Sequence, residues 1–353
     1  MQAIRKTAPG PGAQIVEIPV PECGPLDLIV EVKAAAMCKS DVEVFEWSPL
    51  VAAANYNLPF TLGHEFSGEV TQVGPLVKNF SVGDRVAGET HIPCGICYEC
   101  RTDRQHICTN NMGVLGRNVD GCFAQYIRLP AISAIKLKKD ADFVESSLLE
   151  PLGTAMHALQ KAQPSGANIA ILGTGTIGLM ACELAKLLGA ARVFAVDIKP
   201  SRLEYALKVG ADVAINGMEQ DFAKEIAKHT NHLDAVVDLT GSGAVINRAV
   251  DALSTGGRLV HVGMVQNEMT FERYMSRVVY RELVTTGIFG RHMFRTWEPM
   301  MNLLDAGRVN MKAYVGATMP MSDYQKALDM FEDINGRAIL IPYSLSPKNE
   351  QSE

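Results

Sequence analysis

Four of the chain's eight cysteines fall within fifteen residues, in CGICYECRTDRQHIC from Cys94 to Cys108. The spacing C-x2-C-x2-C-x7-C lets four thiolates surround one metal ion tetrahedrally and close it to water and substrate. A zinc held by Cys94, Cys97, Cys100 and Cys108 is therefore expected to fix a loop, not to catalyse. An iron–sulfur cluster is the rival occupant of such a set, but nothing else in the sequence points to electron transfer. Disulfides are disfavoured in a large chain of cytosolic character. His106 lies among these ligands, and with four thiolates already present it is expected at the surface.

A second constellation could bind a dinucleotide. In NIAILGTGTIG, Gly173, Thr174, Gly175, Thr176, Ile177 and Gly178 lie between an apolar strand-like run and a helix-like run. Gly173 permits a tight turn, Gly175 lets the backbone approach a pyrophosphate, and Gly178 lets the helix pack close to the strand. The helix that starts at Thr176 and Ile177 offers N–H groups to phosphates. Asp197 ends the next strand-like run and is placed to accept hydrogen bonds from an adenosine ribose. That favours NAD over NADP, with Lys199 and Arg202 close enough to soften the preference.

These residues need elements to position them. The first 150 or so residues read as short strands: LIVEVKAAAM, SGEVTQVG, DRVAGE and FAQYIRLP, punctuated by Gly, Pro and Asp. From about Gly153 to Phe289, apolar strands alternate with helical runs, which implies a parallel sheet covered on both faces. One helix has Pro200 near its start and Gly210 just past its end. Two amphipathic patterns, TWEPMMNLLDAG and SDYQKALDMFEDI, and a strand AILIPY follow, and the tail SPKNEQSE is expected to be disordered. The expected domains are 1–152, carrying the cysteine lobe, 153–289 for the nucleotide, and 290–353 completing the first. The fold class is α/β, a β-rich domain beside a Rossmann-type doubly wound sheet.

Composition narrows the function. The chain has 353 residues, 47% hydrophobic and 20% charged, with a net charge of −6. Such a balance argues against nucleic-acid or membrane partners. The uncharged stretch Gly166–Cys182 is broken by its glycines and reads as strand, turn and helix, not a membrane span. MQAIRKTAPGPG lacks an apolar signal core, so a cytoplasmic location is expected.

Cys38 in MCKSD and His64 and Glu65 in TLGHEFSGEV precede the four-cysteine lobe and the glycine motif. That order resembles the zinc-dependent medium-chain dehydrogenases across essentially the whole chain. GETHIPCGICYECRTDRQHIC, GCFAQYIRLPA and GIFGRHMFRTW look like segments of the L-threonine 3-dehydrogenases within that family, with sorbitol and other polyol dehydrogenases next. The resemblance implies a GroES-like catalytic domain and two zinc ions per chain. It implies Cys38, His64 and Glu150 as ligands of the catalytic zinc, with Glu65 entering or leaving its coordination. It also implies NAD, a small secondary alcohol as substrate, Ser40 as the first hydroxyl of a proton relay, and a homo-oligomer, a tetramer before a dimer. A zinc-bound hydroxyl is acidified in such a site, and hydride then passes to the nicotinamide.

The sequence departs at the relay from the usual pattern of the family it resembles. That pattern has Gly after the zinc cysteine and His five positions after it, where this chain has Lys39 and Glu43. Glu43 is expected to take the proton, to bind a substrate group, or to stand exposed on a helix. Trp47 and His91 align near the substrate of threonine dehydrogenases. Arg291 is expected to face cofactor or substrate or to be a surface arginine, and His157 and His292 are expected to be structural. The leading reading is oxidation of L-threonine to 2-amino-3-oxobutanoate. The alternatives are a polyol dehydrogenase giving a ketose and a non-catalytic NAD(H)-binding protein.

Overall fold

The computed structural model describes residues 1–54, 56–110, 112–265 and 268–342. The tail expected to be disordered lies outside the described residues. By backbone proximity the chain forms two compact units, one of Met1–Ile92, Met112–Glu150 and the chain from Val315, the other of Pro93–Asn111 and Pro151–Tyr314. The cysteine lobe and residues 290–314 thus group with the nucleotide unit, whereas the sequence reading assigned them to the first domain.

The first unit is built on the strand Asp27–Ala36, whose apolar residues are all buried. Apolar residues on both of its faces allow it to be covered on both. It pairs antiparallel with Glu65–Val73, with Tyr126–Pro130 and, at its far end, with Arg337–Ile341. Arg85–Gly88 and Ala134–Lys136 extend the sheet on one side and Val315–Pro320 on the other, giving seven strands. A three-stranded sheet of Gln14–Glu17, Gln2–Lys6 and Phe60–Thr61 completes the unit. Ile4, Leu28, Val30, Phe66, Phe123 and Leu340 are among the side chains of its core.

The second unit carries a six-stranded sheet, all parallel, in the order Val213–Asn216, Arg192–Asp197, Asn168–Leu172, Ala235–Asp238, Arg258–His261, Val284–Gly287. Counted along the chain this is 3-2-1-4-5-6, the doubly wound order. The alternation of strands and helices expected between Gly153 and Phe289 is present. The helix Pro200–Val209 has proline in its first turn and ends at Gly210 with φ +142°. Gly166–Cys182 is a strand followed by the helix Thr176–Leu187, and among the described residues no helix is long and apolar enough to cross a membrane.

One cluster in this unit was not foreseen. His106 of the lobe is buried, not on the surface. Its ring centroid lies 4.8 Å from that of His292 and 5.4 Å from that of His157. His157 Nδ1 donates to the Gly290 carbonyl at 3.0 Å, while its Nε2 is buried with no hydrogen-bond partner among the described residues. Burial lowers the His157 pKa from 6.5 to about 4. Between those values the unfolded chain binds a proton that the folded one refuses. His157 therefore contributes stability that is fully present above about pH 6.5 and is lost as pH falls toward 4, a loss of at most about 3 kcal/mol. His157→Gln is expected to flatten the acid side of the stability profile over that window, measured by urea unfolding at stepped pH; an unchanged slope would contradict the assignment.

Candidate active site

One sheet register delivers the first metal-type cluster. Ala36 pairs with Glu65 and also with Ile339. The chain then continues two residues past Ala36 to Cys38, one residue back from Glu65 to His64, and two residues back from Ile339 to Arg337. One donor atom from each of Cys38, His64 and Glu65 lies within 4.8 Å of the other two. Gly63 is required beside them. Its φ is +87°, and a Cβ there would stand 2.3 Å from the Phe123 ring.

Asp41, in the first turn of the helix Lys39–Glu46, orders this cluster. Its Oδ2 accepts from the Cys38 N–H at 2.9 Å and its Oδ1 from the Gly63 N–H at 3.2 Å. The same Oδ1 lies 3.5 Å from His64 Nδ1. A carboxylate on one ring nitrogen leaves the other for a ligand role, the usual support of a metal-bound histidine. Arg337 donates from Nε to Glu65 Oε2 at 3.1 Å and from Nη2 to Oε1 at 2.9 Å, and its Nη2 stands 3.5 Å from Cys38 Sγ. Burial alone would raise the Cys38 thiol, but the Arg337 guanidinium and the His64 hydrogen bond outweigh it and bring it down to about 6. Burial pushes the Glu65 carboxyl well up, against the pull of Arg337. Burial would lower the His64 pKa, but Asp41 and Cys38 hold it well above the ordinary value. Sulfur, nitrogen and oxygen donors brought together in this way suit a zinc ion with an open position.

The remaining expected residues surround this cluster in different ways. Glu150 is buried, and its Oε1 accepts from the Thr90 hydroxyl at 2.6 Å, so it stands outside the three-residue cluster. Its charge still helps to raise Glu65 and Arg337. Ser40 and Glu43 are both buried on the helix Lys39–Glu46, which removes the exposed-glutamate option. Lys39 instead reaches outward to Glu332 at 3.4 Å. Trp47 caps the helix C-terminus with φ +57°, and its ring faces the Lys6 ammonium at 5.0 Å. His91 is buried, with Nδ1 2.7 Å from Glu89 Oε1. Arg291 is buried near Thr154 and is not a surface residue.

Asp41, Glu89, Thr90 and Arg337 went unnoticed in the sequence. Asp41 has a local signal, an acidic residue at the third helical position after a capping residue. Arg337 has none, being 272 residues from Glu65.

The four lobe cysteines also gather their sulfurs within 4.8 Å. Cys94 and Cys100 Sγ are 3.9 Å apart, and Cys97 and Cys108 Sγ are 3.7 Å apart. Zinc–sulfur bonds of about 2.3 Å at tetrahedral angles set sulfurs about 3.8 Å apart, so this set fits one zinc. The N–H groups of Ile96 and Cys97 point at Cys94 Sγ and bring its thiol down to about 6 despite some burial cost. No position is left for a substrate.

The glycine motif joins the strand Asn168–Leu172 to the helix Thr176–Leu187, with Gly175 as N-cap and no side chain on the helix end. A Cβ on Gly178 would stand 2.0 Å from the Gly173 carbonyl oxygen, whereas one on Gly175 would enter open space. The opening at Gly175 is what a pyrophosphate needs. Asp197 is buried at the end of its strand and accepts from Thr174, Ile198 and Lys199. Arg202 lies in the first turn of the next helix, Pro200–Val209.

Residues 24–139 match the alcohol dehydrogenase GroES-like domain, and residues 176–306 match the zinc-binding dehydrogenase domain. The chain is 35% identical to an L-threonine 3-dehydrogenase of Bacillus licheniformis over 97% of this chain and 99% of the other. It is 36% identical to one of Caldanaerobacter subterraneus over the same shares. A zinc-binding dehydrogenase of Sinorhizobium meliloti 1021, solved with NADP, superposes with a TM-score of 0.87 at 26% identity, covering 97% of this chain and 99% of the other.

Arg337→Met would leave Glu65 buried beside Cys38 without its forked partner. Breaking a buried pair from one side costs about 3–5 kcal/mol, so unfolding by urea should show a loss of that order. Arg337→Lys should recover only part, since an ammonium cannot give the two parallel hydrogen bonds. A loss under about 1 kcal/mol for the methionine variant would mean the pair is solvated, not buried.

Proposed function

The chain belongs to the zinc-binding dehydrogenases, and on that footing we propose that it oxidises a secondary alcohol with NAD, L-threonine being the substrate and 2-amino-3-oxobutanoate the product. The observation that carries the reading is the meeting of Cys38, His64 and Glu65 donor atoms within 4.8 Å. A closed four-cysteine lobe alone would support only a structural metal. The similarity to L-threonine 3-dehydrogenases over 97% of the chain supports the choice of substrate.

Cys38, His64 and Glu65, with Glu150 nearby, would hold the catalytic zinc, and Cys94, Cys97, Cys100 and Cys108 would hold the structural one. When bound, zinc supplies the Lewis acidity that lets a hydroxyl lose its proton near neutral pH, and the nicotinamide supplies the hydride acceptor. Ser40, two residues beyond Cys38, receives the hydroxyl proton, and Glu43, one turn along the same helix, takes it onward. Glu89 fixes the His91 ring through Nδ1, and the ring so oriented meets a polar group of the substrate. Trp47 provides an apolar wall whose ring is steadied by Lys6. Gly173, Gly175, Thr176, Ile177 and Gly178 receive the pyrophosphate, and Asp197 and Arg202 border the adenosine ribose.

The protein works in the cytoplasm without nucleic-acid or membrane partners, as a homo-oligomer, a tetramer before a dimer. Exposed Tyr274, Met275, Tyr280, Phe289 and Phe294 in the nucleotide unit support self-association. The functional domains remain 1–152, 153–289 and 290–353, the last completing the first. The second reading is a polyol dehydrogenase giving a ketose; Lys39 and Glu43 depart from the pattern of both groups and favour neither.

Reduction of NAD by the zinc-loaded protein should be followed with L-threonine, sorbitol, erythritol, myo-inositol and butane-2,3-diol in parallel. The proposal expects threonine to dominate, with two zinc ions per chain. A polyol turned over with threonine inert would move the protein to the second reading. One zinc per chain and no turnover would leave a nucleotide-binding protein with only its structural lobe.

A further inference from the structure

The carboxylate of Asp197 has little left to offer a ligand. Its Oδ2 accepts from the Thr174 N–H at 2.6 Å and from the Thr174 hydroxyl at 3.0 Å. Its Oδ1 accepts from the N–H groups of Ile198 at 2.7 Å and Lys199 at 2.9 Å. An ionised carboxylate has about four lone-pair sites, and these four donors fill them. Thr174 is fully buried and Asp197 is 7% exposed, so water does not compete for the pair.

That arrangement bears on how the cofactor is recognised. An acidic residue at this place selects NAD in two ways: it accepts from the ribose hydroxyls, and its charge repels a 2′-phosphate. Both effects weaken when four protein donors already sit on the carboxylate. A ribose hydroxyl must share a lone pair with Thr174 or displace it, and the carboxylate's charge is already drawn on by four donors. Lys199 and Arg202, at and just inside the start of the helix Pro200–Val209, add positive charge to the segment that follows Asp197. The helix N-terminus itself favours an anion.

We propose that Thr174 sets the cofactor preference of this chain: its hydroxyl occupies the acceptor that an adenosine ribose would use, so NADP is taken nearly as well as NAD. The residue lies inside the glycine motif. It acts through Asp197 and is therefore a positioning residue. This inference rests on the dinucleotide reading of the glycine motif, and it replaces the NAD preference expected from the sequence with acceptance of both.

Binding should be measured directly, by titrating the zinc-loaded protein with NADH and with NADPH and following nicotinamide fluorescence, so that turnover plays no part. The wild-type dissociation constants are expected to lie within about tenfold of each other, a difference of about 1.4 kcal/mol or less. In Thr174→Ala the hydroxyl donor is gone and Asp197 regains one acceptor. NADH should then bind roughly three- to tenfold more tightly, as one hydrogen bond to a charged group allows, with NADPH unchanged. Thr174→Ser keeps the donor and should keep the wild-type ratio. A wild-type preference for NADH beyond tenfold overturns the inference, and that arm does not depend on any variant folding. An unchanged ratio in a folded Thr174→Ala overturns it as well. Failure of both nucleotides to bind overturns the dinucleotide reading itself, which separates the two.

Discussion

The forked ion pair between Arg337 and Glu65 is the contact on which the catalytic unit depends. It joins a strand near the end of the chain to one near its start, in a place where neither charge meets water. Burying two ions is costly, and the cost is offset only if the geometry is good and the neighbours are satisfied. Here both carboxylate oxygens are answered, and the leftover reach of the guanidinium falls on Cys38 Sγ. The same cation that makes Glu65 tolerable in the interior thereby favours the thiolate of Cys38. A sheet register and a metal-type donor set are thus held by one side chain. Asp41 does the complementary work, tying Cys38, Gly63 and His64 from the helix side.

The two sulfur-bearing clusters divide the labour. In the lobe, four cysteine sulfurs at tetrahedral separations can enclose an ion completely, and the loop around them has little secondary structure beyond one helical turn, Tyr98–Arg101, and a 3-10 turn. A loop of that kind orders itself around a metal because it has no apolar core of its own. The other cluster has one thiolate, one imidazole and one carboxylate, mounted on strands that are ordered by their own packing. That framework can keep a coordination position open, and an open position is where chemistry occurs.

Much of this was legible in the sequence because the signals were local. The glycine motif, the proline and glycine bounding Pro200–Val209, and the cysteine spacing each belong to a single stretch of chain whose geometry follows from its residue types. The alternating strands and helices between Gly153 and Phe289 dictated the parallel sheet for the same reason. Long-range pairings carried no such signal. Nothing near Arg337 announces that it faces Glu65, and nothing near His106 announces that His157 and His292 close over it. Thr90 and Glu89 were hidden beside His91 because a strand residue's partner depends on which face it turns to. The saturation of Asp197 depends on a threonine hydroxyl whose direction only the folded turn determines. Lys39 and Glu43 were visible as departures, but only the structure separates them, with Lys39 turned outward and Glu43 buried.

The central claim is that this chain holds two chemically different zinc ions, one closed by sulfur and one open. X-ray absorption at the zinc edge of the fully loaded protein tests it most directly. Averaging a four-sulfur site with a site carrying only Cys38 gives about 2.5 sulfurs per zinc at about 2.3 Å, the rest of the shell being nitrogen and oxygen at about 2.0–2.2 Å. That average, with two zinc ions per chain, is the predicted result. About four sulfurs per zinc, with one zinc per chain, would contradict the account, since it would leave Cys38, His64 and Glu65 without a metal and the lobe as the only site.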